Sequence, residues 1–296
     1  MRFGINFVNG GDLADPDAAA ELATLAEEIG FSTIWAADHL VLPVGFASRY
    51  PAAPSGDAPF HDDFPFNEVL VHLAFLAALT RRIRLATGVM IIAQRNALEV
   101  AKAVATLDHL SRGRAVLGIG TGWLREEFDA LGARYADRVA RTEESIEVLR
   151  KLWSSPGAEF HGHHFDFPPV TCNPRPHNSS GVPIVIGGYA MATARRAARI
   201  GDAHYPGPAS VSEVENYRAE IGRTAVEHGR DPSAIETIVA APYDRPLDVD
   251  LCRRYAAAGV AEIIIGLPAG DDNADSMRKW LETFRTSVME RVEAPA

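Results

Sequence analysis

Cysteine is scarce in this chain: Cys172 and Cys252 are the only two in 296 residues, far apart and outside any CxxC spacing. Two lone thiols build neither a disulfide framework nor a thiolate metal site, so both read as small buried hydrophobes. Positive charge is short as well. Twenty-nine Lys and Arg face 39 Asp and Glu, a formal net charge of −10, and nucleic acid or an anionic bilayer needs basic patches instead. No apolar run reaches the roughly 18 residues that a membrane span requires. The opening Met1-Arg2-Phe3-Gly4-Ile5-Asn6-Phe7 reads as a strand and lacks the basic-then-apolar layout of a signal peptide. The expectation is a cytoplasmic enzyme acting on a small molecule, with no nucleic-acid or membrane partner.

A further absence concerns dinucleotide binding. No G-x-G-x-x-G opens the first helix, where Asn9-Gly10-Gly11-Asp12 stands, and this counts against an open Rossmann sheet. What is present is alternation. Strands are predicted at Arg2–Phe7, Thr33–Ala36, Ile83–Val89, Ala115–Gly120, Pro183–Gly187, Ala203–Tyr205, Ile235–Ala241 and Glu262–Gly266. Helices follow them at Pro16–Ile29, Glu68–Leu79, Ala97–Ser111, Leu124–Trp153 with a break near Gly132, Met191–Ile200, Val211–His228, Asp248–Ala258 and Ser276–Val292. The first helix is punctuated clearly, with Asp15 as N-cap, Pro16 in its first turn and Gly30 closing it. Repeated βα units demand parallel strands and right-handed crossovers. Eight of them at this length predict one (β/α)8 TIM barrel over residues 1–296, with long irregular segments after strand two (to about Asn67) and before strand five (Ser154–Val182). In such a barrel the loops at the C-terminal strand ends carry the chemistry.

Strand two ends in Trp35-Ala36-Ala37-Asp38-His39. An acid and an imidazole at a barrel mouth can bind a polar ring edge or relay a proton; equally, Asp38 can cap a turn and His39 fill the loop. Strand three ends in Ala86-Thr87-Gly88-Val89-Met90, whose glycine admits a close approach of backbone or flat ligand. Strand four ends in Gly118-Ile119-Gly120-Thr121-Gly122-Trp123, with little side-chain bulk and exposed amides, although tight turns use glycine too. After strand five, Ile186-Gly187-Gly188-Tyr189-Ala190 runs directly into a helix. Free amides and the macrodipole at a helix start suit a phosphate. Arg195, Arg196 and Arg199 on that helix read as a solvated face. His161, His163 and His164 lie in an aromatic-flanked string that reads as a short hairpin without carboxylate partners at ligand spacing. A metal-dependent barrel hydrolase is expected to carry HxH at the end of strand one; Asn6-Phe7-Val8-Asn9 stands there, so no metal is expected.

Five stretches together resemble a known family. They are Ala26–His39 (AEEIGFSTIWAADH), Ile83–Val89 (IRLATGV), Ala105–Arg114 (ATLDHLSRGR), Leu117–Phe128 (LGIGTGWLREEF) and Pro183–Gly188 (PIVIGG). In this order they are similar to the luciferase-like monooxygenase superfamily, and within it to the branch that uses the deazaflavin coenzyme F420. The likeness runs from the first strand to about residue 206.

The resemblance implies a flavin-type oxidoreductase. Gly88–Val89 would form a non-prolyl cis bulge behind the coenzyme ring, with Asp38 and His39 beside it, His39 moving a proton or polarising the substrate. Gly120 and Gly122 would border the coenzyme, and Gly187, Gly188, Tyr189 and Ala190 would take its phosphate. Relatives that oxidise sugar phosphates carry a glutamate directly after the strand-four glycines. Trp123 occupies that place here, with Glu126 and Glu127 a turn later, so an apolar substrate wall is expected at Trp123. Loop 38–66 would act as a lid, with Asp57, Asp62 and Asp63 solvated. The leading expectation is hydride transfer between F420 and a small organic substrate. The alternatives are an FMN-dependent monooxygenase using oxygen and a non-catalytic barrel that only binds a flavin-type cofactor. By the same resemblance, a homodimer is expected.

Overall fold

Eight parallel strands close into a barrel in the computed structural model, which describes residues 1–53, 55–242, 245–267 and 274–293. The wall consists of β1 (Arg2–Asn6), β2 (Thr33–Ala36), β3 (Arg84–Thr87) and β4 (Ala115–Ile119), then β7 (Ile184–Gly187), β8 (Ala203–Tyr205), β9 (Glu236–Ala240) and β10 (Glu262–Ile265). Every neighbouring pair is parallel, and β1 pairs with both β2 and β10, which closes the ring. The remaining strands, β5 (Ala158–His161) and β6 (Asp166–Val170), form a separate antiparallel hairpin. The segment before the fifth barrel strand is therefore partly ordered, and the histidine string sits on its turn. No described helix is long and apolar enough to cross a membrane.

Two layers of apolar side chains follow from strand alternation. Inward-facing Trp35, Ala86, Val116, Val185, Ala203, Ile238 and Ile264 fill the barrel. Their neighbours one residue along, such as Ile34, Leu85, Leu117, Ile186, Val239 and Ile263, face outward and pack under the helices. Each fully buried aliphatic side chain contributes about 1.5–3 kcal/mol.

Local chemistry sets the helix ends. In α1 (Pro16–Ile29) the Asp15 carboxylate accepts from the Asp17 and Ala18 amides, and Gly30 closes the helix at φ 105°. Asn96 caps α3 (Ala97–Ser111) through the Leu98 amide, and Glu68, predicted as the first helical residue, instead caps α2 (Val69–Leu79) through Val71. Strand β3 stops at Thr87, two residues short of its predicted end. There the Gly88–Val89 peptide is cis, and Gly88 and Met90 donate to Ala36 and Gly118 on opposite sides.

The turn Ser111-Arg112-Gly113-Arg114 contains the most connected side chain of this layer. Arg112 and Gly113 take positive φ, 61° and 85°, and so deliver Arg114 under the barrel wall. Its buried guanidinium donates to the Ala77, Thr80, Ile83 and Ser111 carbonyls and to the Thr80 hydroxyl. Burial pulls its pKa down from the usual arginine value. This cation is held by peptide dipoles instead of a carboxylate. Arg114→Met is expected to cost about 3–5 kcal/mol, because it strands four buried carbonyls at once. Urea denaturation measures this, and a loss under about 1 kcal/mol would show that the carbonyls find other donors.

Candidate active site

The mouth of the barrel is built where side chains are missing. A Cβ on Gly118 would lie 2.1 Å from the Thr87 carbonyl oxygen, so only glycine lets β3 and β4 approach there. A Cβ on Gly120 would meet Val89 Cγ2 at 2.6 Å, and one on Gly187 would meet Val89 Cγ1 at 2.8 Å. The Val89 side chain is thus seated between two glycines on neighbouring strands. Gly122, at φ +82°, makes room for Phe128 and Ile91. The strand-four glycines, expected to border a ligand directly, shape the floor by seating Val89 and Phe128. Behind the bulge stands Trp35, whose Cβ and Cε3 would lie 3.2 Å from a Cβ on Gly88. Its indole donates 3.1 Å to the fully buried Glu262 at the opposite end of the barrel. Beside the bulge, the buried Asn6 Oδ1 has no hydrogen-bond partner. Asn6 was not among the expected site residues, since a lone asparagine at a strand end carries no pattern.

Asp38 and His39 diverge although they are adjacent. Asp38 is buried, and both its oxygens are used: Oδ2 accepts from the Ile91 amide at 2.9 Å and Oδ1 from Arg95 Nη2 at 2.6 Å. Burial pushes its carboxyl up from the ordinary aspartate value, against the pull of the Arg95 charge. Arg95 also reaches Glu68 at 3.0 Å. Asp38 thus ties the β2 exit to the segment that follows β3.

His39 lies among aromatic rings, with Phe60 at 5.2 Å, Phe66 at 5.3 Å and Trp123 at 6.1 Å between centroids. Trp123 itself packs on Phe46 and Tyr50 of the lid. The imidazole Nδ1 is 3.0 Å from Glu127 Oε2. Glu127 comes from α4 (Arg125–Ala130) and was not among the expected site residues. Its neighbour Glu126 accepts from the Ala47 and Ser48 amides, and those bonds, with the Ser48 hydroxyl, hold its carboxyl down at about 2. The lid's far limb is tied by Asn9, which binds both the Ala37 backbone groups and the Asn67 carbonyl. Asp62 accepts from the Gly45 amide inside the lid. A cavity of about 280 Å³ lies within the loop itself, between Phe46, Arg49, Asp57 and Phe60.

The expected phosphate site needs one correction. The Gly188 amide donates to the Tyr205 carbonyl at 3.0 Å, extending the β7–β8 ladder, so it is not open to a ligand. Gly188 sits at φ +142°, where a Cβ would meet Thr193 Oγ1 at 2.9 Å. The helix α6 (Met191–Ile200) begins without a side-chain cap at Ala190. Its dipole and first-turn amides are what remain for an anion, one step beyond the glycine pair. Tyr189 is half exposed at the turn, its carbonyl accepting from Tyr217.

The arginines of α6 are paired: Arg196 and Arg199 share Glu143, and Arg195 binds Glu220. Arg196 is buried, so the predicted solvated face is only partly solvated. Beneath Gly188 lies His204, buried, with Nε2 3.3 Å from the Gly188 carbonyl. In the β5–β6 hairpin, His161 meets Asp166 at 2.6 Å, a carboxylate partner the sequence reading lacked. Glu144 accepts the His163, His164 and Phe165 amides. No group of three or more His, Cys, Asp or Glu positioned to hold a metal occurs among the described residues. Cys252 is buried and Cys172 half-buried, both free.

The profile of the luciferase-like monooxygenases matches residues 1–287, well past residue 206. An F420-dependent glucose-6-phosphate dehydrogenase of Kineococcus radiotolerans is 32% identical over 194 residues, 64% of this chain and 52% of that protein. Among solved structures, an F420-dependent secondary alcohol dehydrogenase in complex with an F420-acetone adduct superposes with a TM-score of 0.80 at 19% identity, over 99% of both chains. The oxygenating constituent of a Baeyer-Villiger monooxygenase from Pseudomonas putida, in complex with FMN, superposes with a TM-score of 0.76 at 14% identity, over 100% of this chain and 99% of that one.

His204 makes the glycine turn sensitive to acid. Burial lowers its pKa from 6.5 to about 4, partly opposed by the bond to Gly188. The unfolded chain therefore takes up this proton below about pH 6.5, while the folded protein resists until about pH 4. Stability contributed by neutral His204 is present above this window and lost as pH falls through it, by up to roughly 3 kcal/mol. Urea denaturation at pH 7.0 and 4.5 is expected to show a smaller pH difference in His204→Gln than in the parent. Equal differences would mean that His204 titrates normally.

Proposed function

The chain belongs to the luciferase-like monooxygenase family, and we propose that it is an F420-dependent oxidoreductase acting on a small organic molecule with an apolar face. The observation that carries this reading is the floor of the mouth. Val89 is seated between Gly120 and Gly187, with Trp35 behind, so the floor at these strand ends carries little side-chain bulk. Such a floor fits a planar ring, the unpartnered Asn6 Oδ1 fits a ring-edge donor, and the uncapped α6 start fits the phosphate of the same molecule. Bound there, a deazaflavin supplies two-electron hydride chemistry.

The protein's own groups do the rest. Val89 and Trp35 support the ring plane, and the first turn of α6 holds the phosphate. Asp38 acts through Arg95 and the Ile91 amide, positioning the loop that carries the floor. His39 faces the substrate and takes or returns a proton at Nε2, since Nδ1 is engaged by Glu127. The lid, with Phe46 and Tyr50 on Trp123 and Phe60 on His39, forms an apolar wall and keeps water from the reacting groups.

The deazaflavin is favoured over FMN by the 32% identity to an F420-dependent relative. FMN on the same floor would make the protein an oxygen-dependent monooxygenase, and binding without turnover would make it a carrier.

Calorimetric titration with F420 and, separately, with FMN distinguishes these. Binding of F420 alone is expected; binding of FMN alone would move the chain to the monooxygenases, and binding of neither would overturn the reading. The phosphate site has its own test in Ala192→Asp. An acid in the first turn of α6 suits the helix dipole and leaves the melting temperature unchanged or slightly raised, yet repels a phosphate. Coenzyme affinity is expected to fall about tenfold or more, equivalent to about 1.4 kcal/mol. Unchanged affinity would place the phosphate elsewhere. His39→Ala is expected to lower kcat by roughly 10²-fold or more with little change in coenzyme affinity. The reverse pattern would make His39 a binding group only.

A further inference from the structure

An imidazole beside a substrate acts in one direction or the other according to which nitrogen holds the hydrogen. In His39 the two nitrogens have different surroundings. Nδ1 lies 3.0 Å from Glu127 Oε2, while Nε2 has no hydrogen bond among the described residues and belongs to a side chain still 9% exposed. Glu127 is itself 1% exposed, and His39 is its only ion-pair partner among the described residues. Its other oxygen accepts from the Leu40 amide at 2.7 Å and more weakly from Val41 at 3.4 Å. Burial pushes its carboxyl up, but the hydrogen bonds from His39 and the Leu40 amide, with the charge of His39 when that ring is protonated, outweigh this and leave it below the ordinary glutamate value.

We propose that Glu127 is a positioning residue that fixes the tautomer of His39. An ionised carboxylate only accepts hydrogen bonds, so the hydrogen of neutral His39 must sit on Nδ1 and the free lone pair on Nε2. The same carboxylate holds the main chain of Leu40, so ring and backbone are set by one group from a different element. Neutral His39 then presents an acceptor to the mouth and binds a substrate through a hydroxyl hydrogen. Adjacent Glu126 grips the lid at Ala47 and Ser48. Helix α4 thereby aligns the proton acceptor and the apolar wall above it in one step.

The alternative is that Glu127 merely fastens the loop root, a task glutamine performs as well. Glu127→Gln separates the two. Its amide oxygen can still accept from Leu40, and its NH₂ group then faces Nδ1, which must become the acceptor. The hydrogen moves to Nε2, and the group facing the mouth changes from acceptor to donor with almost no change in shape. This inference rests on reading His39 as the proton-handling group, so one measurement is made without coenzyme or substrate.

Long-range ¹⁵N–¹H correlation spectra of the free protein, with His39 assigned by its loss in His39→Ala, report the tautomer directly. The parent is expected to show an unprotonated Nε2, and Glu127→Gln a protonated one at an unchanged melting temperature. In the loaded enzyme, kcat for oxidation of a hydroxyl-bearing substrate is expected to fall tenfold or more, with coenzyme affinity unchanged. A protonated Nε2 in the parent overturns the proposal even if Glu127→Gln fails to fold. An unchanged tautomer in Glu127→Gln overturns it too. A reversed tautomer with unchanged kcat supports the tautomer assignment and overturns the reading of His39 as the proton-handling group.

Discussion

The barrel mouth depends on one steric constraint: the ends of β3, β4 and β7 approach more closely than side chains permit. At Gly118 a single Cβ would sit 2.1 Å from the Thr87 oxygen, well inside contact distance, and neither backbone can yield without breaking the ladder on its other side. Because β3 and β4 close up there, the chain leaving β3 turns across the barrel end, with Gly88 bonded to Ala36 and Met90 to Gly118. Val89 then enters the only space left open to it, between Gly120 and Gly187. A methyl group added at Gly118, Gly120 or Gly187 would therefore disturb the same floor.

At both ends of the barrel, buried charge is met by donors or acceptors from other elements. Asp38 is met by Arg95 and the Ile91 amide, Glu127 by His39 and Leu40, and Glu262 by Trp35. Arg114 takes carbonyls from four residues. An isolated ion in such surroundings costs several kcal/mol, and removing one partner leaves the other uncompensated. These pairs are therefore rigid points. They cross between elements, so they hold the loops of one strand end to those of the next. The lid is an example: Asn9 ties one limb, and the consecutive acids Glu126 and Glu127 tie the other.

Much of this was legible beforehand because it is local. Alternating apolar runs and capping residues such as Asp15 and Gly30 act within a few positions of themselves, and eight βα units leave few topologies other than a closed barrel. Glycines at three strand ends and the Asp38-His39 pair marked the mouth for the same reason, each being a short pattern at a predictable place. What was not legible concerns partners distant in sequence. Asp38 and His39 look like one polar pair in the sequence, yet one is spent on Arg95, 57 residues away, and the other on Glu127, 88 residues away. Gly188 looks like an open amide until the Tyr205 carbonyl is brought beside it by the β7–β8 ladder.

The sequence by itself determined the strand and helix order, the closed barrel and the strand ends where chemistry has to lie, since periodicity, caps and glycine freedom are properties of neighbouring residues. Tertiary structure alone decided which nitrogen of His39 is engaged, which oxygen atoms remain unpaired, and that Val89 fills the space its glycines leave. Those outcomes depend on distances of a few tenths of an ångström between residues tens of positions apart, and only closing the barrel sets them.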